Sequence, residues 1–225
     1  MIAKYNIIVI TFLIILLGSG CTRSLGKPNL SSTKQLLQEY RTETLSSDIN
    51  PSKPSVLGEF RKLKPEKELL LLYRQRDKTV LDLGGTFWGI VCKEVNPSAF
   101  VPSLIKDLNH NDPRMRAFAC DALGYLDEQS PVPYLKEKLE DKIIVPGYAG
   151  NPPVAVFAAS ALAFLGHPDG IKILLAHAEN DPEYWHIWGL PHFKWFSNKD
   201  FGKDLQQWKN WFKDNPPKVK MRSKD

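Results

Sequence analysis

Between Val101 and Leu126 the chain writes out two amphipathic helices in succession, and their pattern returns downstream. Val101, Leu104, Ile105 and Leu108 fall at i, i+3, i+4 and i+7, the stripe of a helix that buries one side. Pro102 is expected in its first turn, where a missing N–H costs nothing. Asn109-His110-Asn111 ends the period, and Asp112-Pro113 offers an N-cap carboxylate with a proline at the first helical position. Met115, Phe118, Ala119, Ala122, Leu123 and Leu126 then form a second stripe, whose alanines let a neighbouring helix come close. A connection this short makes the two helices antiparallel neighbours.

One hairpin cannot bury both apolar faces, so copies are required. Val132, Leu135 and Leu139 repeat Val101, Leu104 and Leu108 with a shift of 31 residues. Val154, Phe157, Ala158, Ala161, Leu162 and Leu165 repeat the second stripe with a shift of 39, which places an eight-residue insertion inside the second copy. Asn151-Pro152 is expected to start that helix as Asp112-Pro113 starts the other. Ile171, Leu174 and Ala178 continue the series, and Asn180-Asp181-Pro182 echoes Asn111-Asp112-Pro113. Upstream, Phe87 to Val95 reads as the second helix of a degenerate first repeat, with Val91 and Val95 aligned to Ala122 and Leu126. The expected class is all-α, a right-handed α-solenoid of helical hairpins over residues 66–215.

The string Asp112 to Gly124, with its Asp-Pro, Arg116, Ala119 and Ala122-Leu123-Gly124, resembles a HEAT repeat of the short bacterial kind. Ala161-Leu162 with Leu165-Gly166 resembles a second copy, and the likeness spans roughly residues 80 to 180. It implies a fold rather than a reaction. It also implies that an arginine of the second helix bridges to an acid of a neighbouring repeat. Arg116 fits that role, but its counterpart in the next copy is Ala155, so the resemblance implies a broken ladder.

The start of the chain carries different information. After Lys4, Ile7 to Leu17 is apolar apart from Thr11. Eleven residues fall short of the roughly 20 that a membrane span needs, and fit a signal-peptide core. Gly18-Ser19-Gly20-Cys21 resembles a bacterial lipoprotein processing box, although Gly18 stands where leucine is usual. That resemblance implies removal of residues 1–20 and acylation of the Cys21 thiol. Thr22 after the cysteine, rather than aspartate, implies the periplasmic face of an outer membrane where the organism has one. Residues 21–65, rich in Ser, Thr, Lys, Pro and Asn, are expected to form a flexible tether. Within it Thr33 to Leu45 could form one weak helix with Leu36, Leu37 and Tyr40 on a side.

Several features bound the chemistry. Without Lys4 there are 29 basic and 25 acidic residues, too mild an excess to argue for nucleic acid. Gly84-Gly85 lacks the lysine of a phosphate loop and reads as a turn. Cys92 and Cys120 lie on helix stripes, where two buried thiols and a disulfide both fit. Four of five histidines, His167, His177, His186 and His192, fall late in the chain but lack metal-site spacing, and no metal or cofactor is expected. Ten aromatics from Tyr184 to Phe212 read as an aromatic-rich cap closing the last repeat, with a sugar- or peptide-stacking platform as the competitor. Asp204-x3-Trp208-x2-Trp211-Phe212 resembles the closing helix of some bacterial HEAT-repeat proteins. The tail 216–225, with Lys218, Lys220, Arg222 and Lys224, is expected to be disordered.

Insertions in solenoids gather on one face, often the binding face, which nominates Ile144, Tyr148, Trp188 and Trp195 as partner-binding residues. The expected function is a lipid-anchored scaffold binding another protein at the cell envelope, with no catalytic residue and no evident small-molecule substrate. The alternatives are an envelope carbohydrate- or peptidoglycan-binding module using the terminal aromatics, and an enzyme. Some HEAT-like proteins that this chain resembles attach chromophores to proteins, but no nucleophile–base pair supports that here.

Overall fold

The computed structural model describes residues 27–45, 56–148, 150–181 and 190–216. Helices follow one another from α1 (Leu30–Leu45) and α2 (Val56–Leu63) to α3 (Glu66–Arg74) and α4 (Lys78–Leu83). Then come α5 (Gly85–Val95), α6 (Pro97–Asp107), α7 (Pro113–Tyr125) and α8 (Val132–Glu137), the last extended by a 3₁₀ turn at Lys138–Glu140. The series ends with α9 (Val154–Phe164), α10 (Pro168–Asn180), α11 (Leu190–Ser197) and α12 (Leu205–Asp214). No strand forms among the described residues; Ile144 and Pro153 make one isolated antiparallel bridge. Nor, among the described residues, is any helix long and apolar enough to cross a membrane.

The second helices of successive hairpins, α5, α7 and α9, pack side by side, and α10 continues the stack on α9. This is the α-solenoid that the repeat implies. Every residue of α9 is buried. A helix apolar on every side but for Ser160 has no face to give to water, so it occupies the middle of the stack. Close approach comes from missing side chains. A Cβ on Gly89 of α5 would sit 2.5 Å from the Ala122 carbonyl, and one on Gly124 of α7 would sit 2.8 Å from the Ala161 Cα. Gly84, at φ +82°, makes the turn into α5 that a side chain would strain.

Asp112 caps α7 as its sequence suggests, accepting from the Arg114 N–H at 2.9 Å, with Pro113 at the first position. Two starts differ from expectation. Helix α6 opens at Pro97, five residues earlier than Pro102, which therefore lies inside it. Helix α9 opens at Val154 behind Pro153 rather than at Asn151-Pro152, because the inserted loop is tied to its first turn.

The tether expectation needs correction over residues 30–45 and 56–63. Helices α1 and α2 pack on the domain, with Leu36, Leu37, Tyr40 and Phe60 buried in the same core as α5 and α7. Tyr40 meets Phe87 edge to face at 6.1 Å, and Lys34 pairs with Asp77 at 2.5 Å. Leu36, Leu37 and Tyr40, with Thr33, supply the buried stripe of α1. Polar composition hid it, but geometry needs only that stripe.

A buried polar knot joins α3 to α6. The Tyr73 hydroxyl donates to the Asp107 carboxylate, and Arg76 forks onto the same carboxylate at 2.7 and 2.5 Å. Burial works against the Asp107 charge, yet the Arg76 and Tyr73 hydrogen bonds outweigh it and hold the carboxyl below its usual range. Phe193, Trp208 and Phe212 form a second core with Ile171 and Leu174 of α10, so these terminal aromatics close the stack. Asp204 caps α12 by accepting from the Gln207 N–H at 2.9 Å.

Candidate functional site

The inserted loop between the 3₁₀ turn and α9 is held at both legs. The Ile143 carbonyl accepts from the Val154 N–H at 3.0 Å, and the Val145 N–H donates to the Pro152 carbonyl at 3.0 Å. Asp141 anchors its base, accepting from the Ile143 N–H at 3.2 Å and from Arg116 Nε at 2.8 Å. Arg116 also donates to the His110 carbonyl at 2.8 Å. The arginine–acid bridge of the repeat is therefore present at this rung, and Asp141 is its acid.

With its legs fixed, the loop sorts its side chains. Val145 is fully buried, and Tyr148 turns inward to meet Phe157 edge to face at 5.0 Å. Ile143 and Ile144 stay 57% and 49% exposed, and Tyr134 on nearby α8 is 44% exposed. Of the four nominated residues, Ile144 is exposed, whereas Tyr148 is half-buried against the core. Trp188 and the side chain of Trp195 lie outside the described residues, as do Cys21, His186 and the basic tail. Ile143, beside Ile144 in the chain, is a second exposed apolar residue of the loop that was not nominated.

Behind the loop lies a carboxylate that periodicity passed over. Asp121 sits on α7 with α5 close against it: a Cβ on Gly85 would fall 2.7 Å from the Asp121 Cβ. Tyr125, one turn further along α7, takes a hydrogen bond from Thr86 of α5 and packs on Phe164 with ring centres 4.4 Å apart. Burial raises the Tyr125 phenol pKa and the Asp121 charge raises it further. Tyr148 responds in the same way, pushed up to about 12 by burial and then by Asp121. Burial alone pushes Asp121 up to about 7, and no basic group offsets it. Asp121 nevertheless keeps partial solvent contact. The signal was available in sequence: an aspartate between Cys120 and Ala122, with Ala117, Phe118, Gly124 and Tyr125 three and four residues away.

Chemically, a carboxyl that titrates near neutrality can exchange a proton or receive a cation. The thiols offer it no nucleophile. Cys92 and Cys120 are unpaired and fully buried, and burial pushes both well above the usual thiol range. Among the described residues no three metal-ligating groups gather. His167 instead meets the Gln129 side chain at 2.9 Å.

Stacked helical hairpins whose second helices pack side by side make an α-solenoid. The family model for HEAT repeats matches residues 101–187, so this stretch, from α6 through α10, carries HEAT-like repeats. No match is found among curated proteins or among solved structures.

Proposed function

We propose that the chain is a scaffold that binds another protein, and that an acyl anchor on Cys21 holds it at the cell envelope. HEAT repeats generally mediate protein–protein interaction and are typically non-catalytic, because each repeat adds surface rather than a reactive centre. The observation that carries the binding half is the inserted loop, which spends ordered backbone on keeping Ile143 and Ile144 in water. The anchoring half is supported by the apolar run Ile7–Leu17 ahead of Gly18-Ser19-Gly20-Cys21. Two acyl chains on one cysteine suffice for stable attachment, where one alone is marginal. A glycan platform draws no support from Trp208 and Phe212, whose faces are spent on the core.

Fractionation tests the anchor. The wild-type chain is expected in the membrane fraction and Cys21→Ser in the soluble one. An unchanged distribution, or a free thiol at Cys21 in the mature protein, overturns the anchored reading.

A further inference from the structure

The first leg of the inserted loop, residues 141–146, bonds along one edge only. The Asp141 and Ile143 carbonyls accept from the Ala155 and Val154 N–H groups at 2.9 and 3.0 Å, and the Val145 N–H donates to the Pro152 carbonyl at 3.0 Å. These groups belong to every second residue. Extended backbone alternates its edges, so the groups of Lys142 and Ile144 face the other way. Ile144 and Pro153 form the antiparallel pair that exchanges no hydrogen bond of its own. Among the described residues, nothing bonds to the N–H or C=O of Ile144 or of Lys142. Lys142, Ile143 and Ile144 are all exposed, while Val145 turns into the core. An open edge of this kind is completed by another extended main chain, which returns one N–H and one C=O to Ile144. A helix cannot do so, because its backbone groups are paired internally. Pro146 has no N–H and ends the edge, so it takes a short segment rather than a growing sheet. Charge narrows the choice further. Within the leg Asp141 is held by Arg116, which leaves the Lys142 ammonium without an ion pair.

We propose that the open edge at Lys142 and Ile144 receives an extended segment of the bound protein by strand addition. That segment is apolar where it covers Ile143 and Ile144 and acidic opposite Lys142. The inference rests on the scaffold reading and gives the shape and chemistry of the segment which that reading leaves open. Main-chain hydrogen bonds hold the segment, and the side chains beside them select its sequence.

The test follows backbone amides of the full, isotope-labelled chain by NMR in detergent, with acetyl-Thr-Val-Glu-Val-Thr-amide as probe. The control is the same peptide N-methylated at its central residues, which keeps the side chains and removes the donors. In the chain alone the Ile144 amide is expected to exchange with solvent at least about tenfold faster than those of Val145 and Val154, which are already bonded. With the probe, Ile144 exchange is expected to slow about tenfold and the Lys142 and Ile144 amides to shift, whereas the methylated peptide leaves both unchanged. Ile144→Pro deletes the free N–H and is expected to abolish the Lys142 shift, while Ile144→Val keeps it. Protection of the Val154 amide shows that the loop is intact in each variant. Equal shifts from both peptides, no shift from either, or an Ile144 amide protected without peptide at every protein concentration would overturn the edge. Protection that grows with protein concentration alone would give the edge to a second copy of the chain and overturn a foreign partner. Capture in cells keeps the two readings apart. A partner held equally by wild type and Ile144→Pro removes strand addition and leaves the scaffold standing. Loss with Ile144→Pro but not with Ile144→Val supports it. If wild type captures no protein, the scaffold reading falls and the segment loses its owner.

Discussion

At the residue scale, Asp121 makes stability depend on pH in a direction opposite to most carboxylates. Its folded pKa of about 7 lies above the ordinary 3.8, so the fold holds a proton that the unfolded chain has released. Stability present at pH 4 is therefore lost as pH rises to about 7. Asp121→Asn is expected to gain on the order of 2 kcal/mol at pH 8.5 and nothing at pH 4, read from urea unfolding. The partial exposure of the side chain is why this figure is set below the full shift. An equal gain at both values would show that the carboxylate is not strained by burial. Asp107 has the reverse sign: Arg76 and Tyr73 favour its charged form, so its contribution is present above about pH 4 and lost as pH falls through its lowered value.

At the scale of elements, the fold depends on helices whose backbones nearly touch. Gly124→Ala, with its Cβ 2.8 Å from Ala161, is expected to cost about 1–3 kcal/mol. Gly58→Ala on α2, where a Cβ meets nothing within 4 Å, is expected to gain about 0.5 kcal/mol. Thermal unfolding of the pair distinguishes close packing from a general glycine effect. The hairpins from α6 to α10 were legible in sequence because stripe spacing, caps and a repeated offset all agreed at positions such as Leu104, Asp112 and Ala161. Helices α1 and α2 were not, since their buried surface rests on Leu36, Leu37, Tyr40 and Phe60 within polar surroundings. Removing residues 1–55 is accordingly expected to lower the unfolding midpoint by several degrees, since Leu36, Leu37 and Tyr40 leave the core. An unchanged midpoint would restore the tether. Asp121 escaped notice for another reason: periodicity reports which positions are apolar, and a charge inside the run reads as noise until its neighbours are placed.

For the whole molecule, the stacked second helices form the frame, and the inserted loop carries the two most exposed large apolar side chains among the described residues, Ile143 and Ile144. Of the nominated surface, Ile144 lies on that loop and Tyr148 supports it from beneath, which changes how the surface should be probed. Alanine at Tyr148 would disturb the Phe157 contact and the loop together, whereas Ile144 reports on binding alone. The most direct measurement places a photo-crosslinking residue at position 144 in living cells, with the exposed Lys172 of α10 as the comparison site. The scaffold account expects a discrete protein adduct from position 144, lost when Ile143 is changed to glutamate. Absence of any protein adduct from position 144, or an adduct indifferent to Ile143→Glu, would contradict it.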